Sequence, residues 1–483
     1  MPLPATAETP SQVPLCVDLD GTLIKTDLLW ESLVRLLRRN PLYVFAVFWW
    51  WVRGRAHLKA EIAERATVDA GSLPYHRAVV DFLRQEKSSG RALLLVTASD
   101  ARPARRVAEH LGLFDEVLAS DGTNNLRGRH KGAKLAERFG ERGFDYAGNS
   151  SVDLAVWERA REAIVVDGSP RLVARAGQRA KISRVFESSE SRLRALLRAM
   201  RPHQWVKNLI LFVPLITSHQ VGHLHLALSA VLAFVAFSLC ASGVYVLNDL
   251  FDLEADRRHP TKWVRPFASG DLGLPVALVT APVLLVVSLF MALSLSVGFA
   301  VVLGIYLVLT TSYSWYLKRF PLLDVFCLTG LYTIRLIAGH EALRIVYSFW
   351  LLVFSMFIFL SLALIKRFQE LQVARQLNQA DIKGRGYAPG DLEVVAMFGG
   401  ASGYLAVLVL ALYVNSPDVR ILYQNPTALL LVCPLLLYWI SRMWLVAHRG
   451  QMHEDPILFA LKDKVSYLVG GLTLVVLWLA TGR

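Results

Sequence analysis

Cysteine is scarce in this 483-residue chain: Cys16, Cys240, Cys327 and Cys433 are scattered and set in apolar surroundings. That excludes a disulfide scaffold, and the four read as small core residues. Charge is thin as well, at 19% of residues against 54% hydrophobic, which excludes a disordered chain. No collagen-like repeat is present. The opening MPLPATAETPSQVPLC lacks a basic stretch followed by an apolar one, so no secretory signal is expected and the soluble half should stay in the cytosol.

Hydrophobicity is unevenly distributed. Charge recurs every few positions to about residue 200, after which apolar runs of about 20 residues dominate, long enough to cross a hydrocarbon core. Nine spans are expected, at 208–220, 226–247, 274–295, 297–316, 321–339, 347–365, 394–413, 427–447 and 465–481. The net charge of +13 falls largely in alternate connections. Those after even-numbered spans hold Arg257, Arg258, Lys262, Arg265, Lys318, Arg319, Lys366, Arg367, Arg375, Lys383, Arg385, Arg449, Lys462 and Lys464. The opposite ones hold chiefly Arg344 and Arg420. This alternation follows the positive-inside rule and predicts a multi-pass protein of a bacterial-type inner (plasma) membrane with its N-terminal domain cytoplasmic. Basic residues dispersed among membrane loops argue against a nucleic-acid partner.

In the soluble half, VPLCVDLDGTLI is a buried-type strand ending in two carboxylates, Asp18 and Asp20, which strand alternation puts on one side. ALLLVTAS (92–99) and FDYAGNSS (144–151) are similar strands, each followed by a helical stretch. The pattern is doubly wound α/β, with ligands expected beyond the carboxyl ends of the strands. Phosphoryl transfer needs a nucleophile, a proton donor, a divalent cation and fixed positive charge, and one candidate stands at each such end. Asp18 is assigned as nucleophile, Asp20 as general acid and then base, Thr97 and Ser99 as phosphate ligands, and Lys131 as charge clamp, with Lys134 an alternative. Asn149 and Asp153, with Asp18 and Asp20, form the Mg²⁺ side. A solvated turn and an ordinary surface lysine are the competing readings of the carboxylates and of Lys131.

DLDGT, LVTAS, KGAKL and GNSSVD resemble, in order, the four motifs of the haloacid-dehalogenase-like phosphatases over about residues 13–170. The family often has aspartate where Asn149 stands. The expected domain is 1–175, with a cap insertion at 26–90. Within that cap, Leu42 to Val52 is too short to span a bilayer but rich in Trp and flanked by Arg53 and Arg55, which suits a helix that touches lipid; a buried cap helix is the alternative. A linker at 176–198, with SSESRLRALLRAMR as an amphipathic helix on anionic lipid, would lead into a membrane domain at 199–483.

The densest charged cluster of the membrane half is NDLFDLEADRRHPTKWVRPFASG. Asn248, Asp252 and Asp256 recur every four residues, stacking three oxygen ligands on one helix face, while Asp249 and Glu254 are expected to point elsewhere. Hard oxygen ligands suit Mg²⁺ shared with a diphosphate, and Arg257, Lys262 and Arg265 follow to neutralise that group. An exposed helix end with local ion pairs is the plainer reading. The same rim collects Lys207, Lys366, Arg367, Asp324 and Arg335; Lys318 and Arg319 read as topology anchors.

NDLFDLEAD resembles the UbiA-type intramembrane prenyltransferases over about residues 198–483. RPHQWVKN, YLKRFPLLDVF, IRLIAG, KRFQEL and ALKDKV are similar to their decaprenyl-phosphate phosphoribosyltransferase branch. Most aromatic prenyltransferases carry a second pair of aspartates after the sixth span, where this chain reads KRFQELQVARQ. The resemblance implies an all-α nine-helix bundle with Mg²⁺ and two partners, phosphoribosyl diphosphate and a polyprenyl phosphate lipid. Lys207, Lys366 and Arg367 would hold the sugar phosphate or the lipid phosphate. The fused phosphatase would then remove the 5-phosphate. Transfer of a prenyl group to an aromatic acid such as 4-hydroxybenzoate, and a membrane-anchored phosphate sensor, are the competing functions. A homo-oligomer is left open.

Overall fold

A computed structural model describes residues 13–66, 68–120, 126–187, 191–377, 385–417, 419, 423–452 and 455–481. Lys383, Arg420 and residues 188–190 of the expected linker lie outside them. The chain divides into two compact units: residues 1–200 with 245–280, and residues 201–244 with 281–483.

In the first unit six strands form one parallel sheet, ordered β3-β2-β1-β4-β5-β6. They are β1 (Leu15–Val17), β2 (Leu93–Asp100), β3 (Glu116–Ser120), β4 (Asp145–Gly148), β5 (Glu162–Val166) and β6 (Lys181–Phe186). Alternate residues face opposite ways and are buried on both sides. Leu15, Val17, Leu93 and Leu95 pack into one core; Cys16, Leu94, Val96 and Tyr146 pack into the other. The chain reverses its winding direction at β1 and β4, so the crevice beyond their carboxyl ends is the place for a ligand. β6 places residues 181–186 of the expected linker at the edge of the sheet, and the helix Arg192–Met200 runs from that linker into the start of the expected membrane domain, with Leu193 and Leu197 exposed.

The cap insertion is helical: α1 (Leu28–Arg39), α2 (Tyr43–Val52), α3 (Arg55–Arg65) and α4 (Arg77–Ser88). Asp27 caps α1 by accepting from the Leu29 amide at 2.8 Å. A separate apolar cluster of Leu33, Leu36, Trp50 and Ile62 joins α1, α2 and α3.

Seven helices among the described residues are long and apolar enough to cross a membrane: Leu224–Phe251, Leu274–Leu295, Val297–Trp315, Phe349–Gln376, Pro389–Val414, Pro426–His448 and Lys464–Thr481. They coincide with seven of the nine expected spans. Of the other two, 208–220 is a 3-10 helix, Pro202–Phe212, followed by a short α-helix, Val213–Thr217. The second, 321–339, lies in the helix Leu323–Leu343, whose buried Asp324, Arg335 and His340 lower its apolar character.

Candidate functional site

β1 stops at Val17, and Asp18 follows with its amide donating to Ala147 of β4 at 2.9 Å. Asp20 reaches the same crevice through the turn that follows, not by strand alternation. Gly21 turns the chain there at φ +75°, and a Cβ on it would stand 1.9 Å from Asn149 Nδ2, so only glycine permits this approach of the two loops.

Lys131 is buried at 3% exposure and donates to Asp18 Oδ1 at 2.8 Å and to Tyr146 Oη at 2.9 Å. Tyr146 Oη in turn donates to Asp153 Oδ1 at 3.1 Å. Lys134 is exposed. Asp20 is clasped from two sides: Oδ1 accepts from the Leu28 amide at 2.9 Å, and Oδ2 from Ser99 Oγ at 2.6 Å. Burial pushes the Asp18 carboxyl up to about 7 despite the pull of Lys131, and burial together with the charge of Asp27 pushes Asp20 up to about 6. A carboxyl that titrates near 6 is suited to donate and recover a proton.

Two expectations are corrected here. Thr97 is fully buried: its hydroxyl accepts from the Ser99 amide at 3.0 Å and faces Asp20 at 3.4 Å. The cleft wall carries Ala98 and Ser99 instead. Asp153 was expected on the metal, but its Oδ2 is committed to the Asn149 amide at 3.1 Å, the Ser150 amide at 2.9 Å and Ser150 Oγ at 2.8 Å. It shapes the loop that carries Asn149. Tyr146, which joins Lys131 to Asp153, was not singled out in the sequence, where it is one more apolar-strand residue. The cleft holds about 680 Å³ and is lined by Asp18, Asp20, Lys59, Arg127, Lys131 and Asn149, a carboxylate pair in a cationic frame.

In the aspartate-rich segment the i to i−4 bonding continues past the end of Leu224–Phe251. The Asp252 amide donates to the Asn248 carbonyl, and the Asp256 amide to the Asp252 carbonyl, each at 2.8 Å. Asp249, expected to point elsewhere, joins Asp256: Arg265 donates to both, at 3.1 and 2.6 Å. Asn248 and Asp252 are partly exposed, and Lys262 is exposed. Arg257 is a correction, since its guanidinium is spent on Glu31 of α1 at 2.7 and 3.0 Å and on the Ala268 carbonyl at 3.1 Å.

In the second unit Lys207 and Lys366 converge on one carboxylate oxygen, Asp455 Oδ2, at 2.9 and 3.4 Å. Asp455 went unnoticed in the sequence because only the fold brings it to these lysines. Arg367, expected on a phosphate, has no exposed surface; it pairs with Asp324 at 2.6 Å and with Glu370, which leaves it no access to a ligand. Arg335 lies among Phe237, Tyr306 and Tyr332 and donates to Asn208 at 2.8 Å.

Residues 209–480 match the UbiA prenyltransferase family, more than half of the chain. The chain belongs to that family. Residues 15–158 match the haloacid dehalogenase-like hydrolases, so a transferase and a phosphatase domain are fused in one multi-pass membrane protein. Protein y4nM of Sinorhizobium fredii is 39% identical over 464 residues, 95% of this chain and 90% of that one. Nodulation protein NoeC of Azorhizobium caulinodans is 38% identical over 268 residues, 55% of this chain and 86% of that one. Decaprenyl-phosphate phosphoribosyltransferase of Mycolicibacterium smegmatis is 38% identical over 185 residues, 38% of this chain and 58% of that one.

Both families are generally Mg²⁺-dependent, and the donors in the phosphatase cleft fit that ion. With Oδ1 of Asp18 on Lys131 and the Asn149 side chain set over Gly21, two hard side-chain oxygens border the cleft. Asp20, both of whose carboxylate oxygens are taken, is not among them. Among the described residues no three His, Cys, Asp or Glu side chains form a ready cage. The donors of the membrane segment, Asn248, Asp252 and Asp256, are likewise oxygen only, with Asp256 shared with Arg265.

Proposed function

We propose that the membrane domain moves phosphoribose from phosphoribosyl diphosphate to a polyprenyl phosphate, and that the phosphatase domain then removes the 5-phosphate. The observation that carries this reading is the convergence of Lys207 and Lys366 on a single carboxylate. Two ammonium groups on one aspartate leave positive charge to spare for a second phosphorylated substrate, in addition to a diphosphate at the aspartate-rich segment. The partial likeness to the decaprenyl-phosphate phosphoribosyltransferase supports it.

In the transfer, an oxygen of the lipid phosphate attacks the anomeric carbon while the bond from that carbon to the diphosphate breaks. Asn248, Asp252 and Asp256 would hold Mg²⁺, which when bound supplies charge to offset the departing diphosphate. Lys262 and Arg265 add fixed positive charge. Lys207 and Lys366 orient the lipid phosphate.

In the phosphatase, Asp18 attacks the phosphorus of the 5-phosphate, Asp20 gives its proton to the departing ribose oxygen, and Lys131 balances charge on the nucleophile. Asp20 then takes a proton from the water that hydrolyses the aspartyl phosphate. The products are polyprenyl-phosphoryl-ribose and inorganic phosphate. Tethering raises the local concentration of the intermediate at the second site. The N-terminal domain belongs on the cytoplasmic face, where the basic loops gather.

The test is mass spectrometry of lipids formed from phosphoribosyl diphosphate and decaprenyl phosphate. The intact chain should yield the ribosyl lipid, and Asp18→Asn should accumulate its 5-phosphate. Product formed only from polyprenyl diphosphate and 4-hydroxybenzoate would replace this reading with aromatic prenylation.

A further inference from the structure

Helix α2 is apolar throughout, YVFAVFWWWV, yet only one of its sides is covered. Trp50 is buried, and Tyr43, Ala46 and Val47 pack with it against α1 and α3. Val44, Phe45, Phe48, Trp49, Trp51 and Val52 form the other side, and each is more than half exposed, Phe45 at 73%. A contiguous stripe of aromatic side chains of this kind is disfavoured in water and marks a surface that meets another phase or partner.

Three observations identify the occupant. First, the cluster that seats α2 also contains Leu278, in the first turns of the membrane-crossing helix Leu274–Leu295, and residues 274–280 of that helix belong to the same unit. The helix therefore packs at the depth where a spanning segment enters the bilayer. Second, arginines border it. Arg38 and Arg39 end α1, Arg53 lies over the Trp49 ring at 5.1 Å, and Arg65 lies over the Trp50 ring at 5.0 Å. Third, Arg35, Arg38, Arg39 and Arg65 line a cleft of about 480 Å³; among the described lining residues Glu254 is the single acid and pairs with Arg35 at 3.1 Å, while Arg65 also pairs with Glu61, so four cations there outnumber these two acids. Tryptophan beside arginine is the composition of the lipid headgroup level, where the ring sits in the interface and the cation meets phosphate.

We infer that α2 is a monotopic anchor: its exposed aromatic side lies in the cytoplasmic-side headgroup region, and the Arg35, Arg38, Arg39 and Arg65 cleft holds the phosphate of an anionic membrane lipid. The cleft of the phosphatase site is lined by Trp30 and Trp51 and by Leu274 and Pro275, so the anchor opens that site toward the lipid surface. The inference rests on the chain spanning a membrane with its N-terminal domain on the cytoplasmic face, and it stands or falls apart from the identity of the transferred group.

The test uses the full chain in lipid nanodiscs with and without phosphatidylglycerol. A nitroxide is attached at Phe48→Cys in a Cys433→Ser background, the other three native cysteines being buried. Arg84→Cys on α4 is the aqueous control. In nanodiscs with phosphatidylglycerol, position 48 should relax faster with oxygen than with a nickel chelate and position 84 the reverse. The oxygen preference at 48 should shrink without phosphatidylglycerol, and in the Arg38→Glu, Arg39→Glu variant. Hydrolysis of para-nitrophenyl phosphate in detergent, unchanged in all variants, verifies that the phosphatase unit is folded. Equal access of both reagents to 48 and 84 would overturn the anchor. So would shielding of position 48 from both reagents, which would assign the stripe to a protein contact. An oxygen preference indifferent to phosphatidylglycerol and to the arginines would overturn the headgroup site.

Discussion

Arg257 and Glu31 are 226 residues apart in sequence and form a two-pronged ion pair, 2.7 and 3.0 Å, with both side chains almost wholly buried. The pair joins α1 of the cap to the short helix Leu253–Arg258 that continues the aspartate-rich segment. Arg265 makes a second such joint inside that segment, between Asp249 and Asp256. The phosphatase cap and the acidic segment of the transferase are thus parts of one packed unit.

Removing one member of a buried pair leaves an uncompensated charge, which costs about 3–5 kcal/mol. Glu31→Ala should therefore lower the thermal unfolding midpoint of the first unit markedly, followed in detergent by protease protection of the cap. Glu31→Ala with Arg257→Met should recover most of the loss, because no buried charge remains. An unchanged midpoint in the single variant would mean the pair is solvated.

In the proposed phosphatase reaction Asp20 is the proton donor. Asp20→Asn should lower phosphomonoesterase turnover by about 10²–10⁴-fold on alkyl phosphates. The loss in the first step, read as the burst of released leaving group, should be far smaller on para-nitrophenyl phosphate, whose leaving oxygen needs little protonation, while hydrolysis of the aspartyl phosphate should slow alike with both substrates. Equal losses in the burst on both substrates would remove Asp20 as the proton donor.

Much of this was legible because it is local. Buried strands leading into DLDGT, LVTAS and GNSSVD carry their own hydrophobic period; the candidates Asp18 and Asn149 each stand one residue beyond β1 and β4, and Ser99 lies at the end of β2. The recurrence of Asn248, Asp252 and Asp256 at every fourth position likewise gives a helical repeat, and the backbone bonds follow it. What the sequence does not carry is pairing at long range. Arg257 and Arg367 look like phosphate ligands until Glu31 and Asp324 are brought to them, and Asp455 looks inert until Lys207 and Lys366 meet it. The segment 208–220 shows a similar limit: its apolar composition is real, but the backbone adopts a 3-10 helix that begins at Pro202.

With Asp18 as a Mg²⁺ ligand, as proposed, protons and the ion would compete for its carboxylate. Burial raises that carboxyl to about 7, so the ionised form is disfavoured and the proton is held until the pH passes that value. The fold without metal should lose stability as the pH rises from about 4 to 7 and level off above it, and added Mg²⁺ should restore it. Below 7, half-saturating Mg²⁺ for phosphatase activity should rise about tenfold for each pH unit, since each ion must displace one proton. A metal requirement independent of pH between 5.5 and 8 would remove Asp18 from the ligand set.

Lys207 gives a pH dependence of opposite sign at the transferase. Burial lowers its ammonium to about 8, against the pull of Asp455, so the charge is present below that value and lost above it. Asp455→Asn removes the pull and should lower the titration further. Transfer onto polyprenyl phosphate should then decline at pH 8 through a higher KM for the lipid, and recover toward pH 6.5 where Lys207 is charged again. Lys207→Met should show the raised KM at every pH, because no charge returns on acidification. A variant pair whose KM values move in parallel across this range would separate Lys207 from the lipid phosphate and leave Lys366 as the cation that binds it.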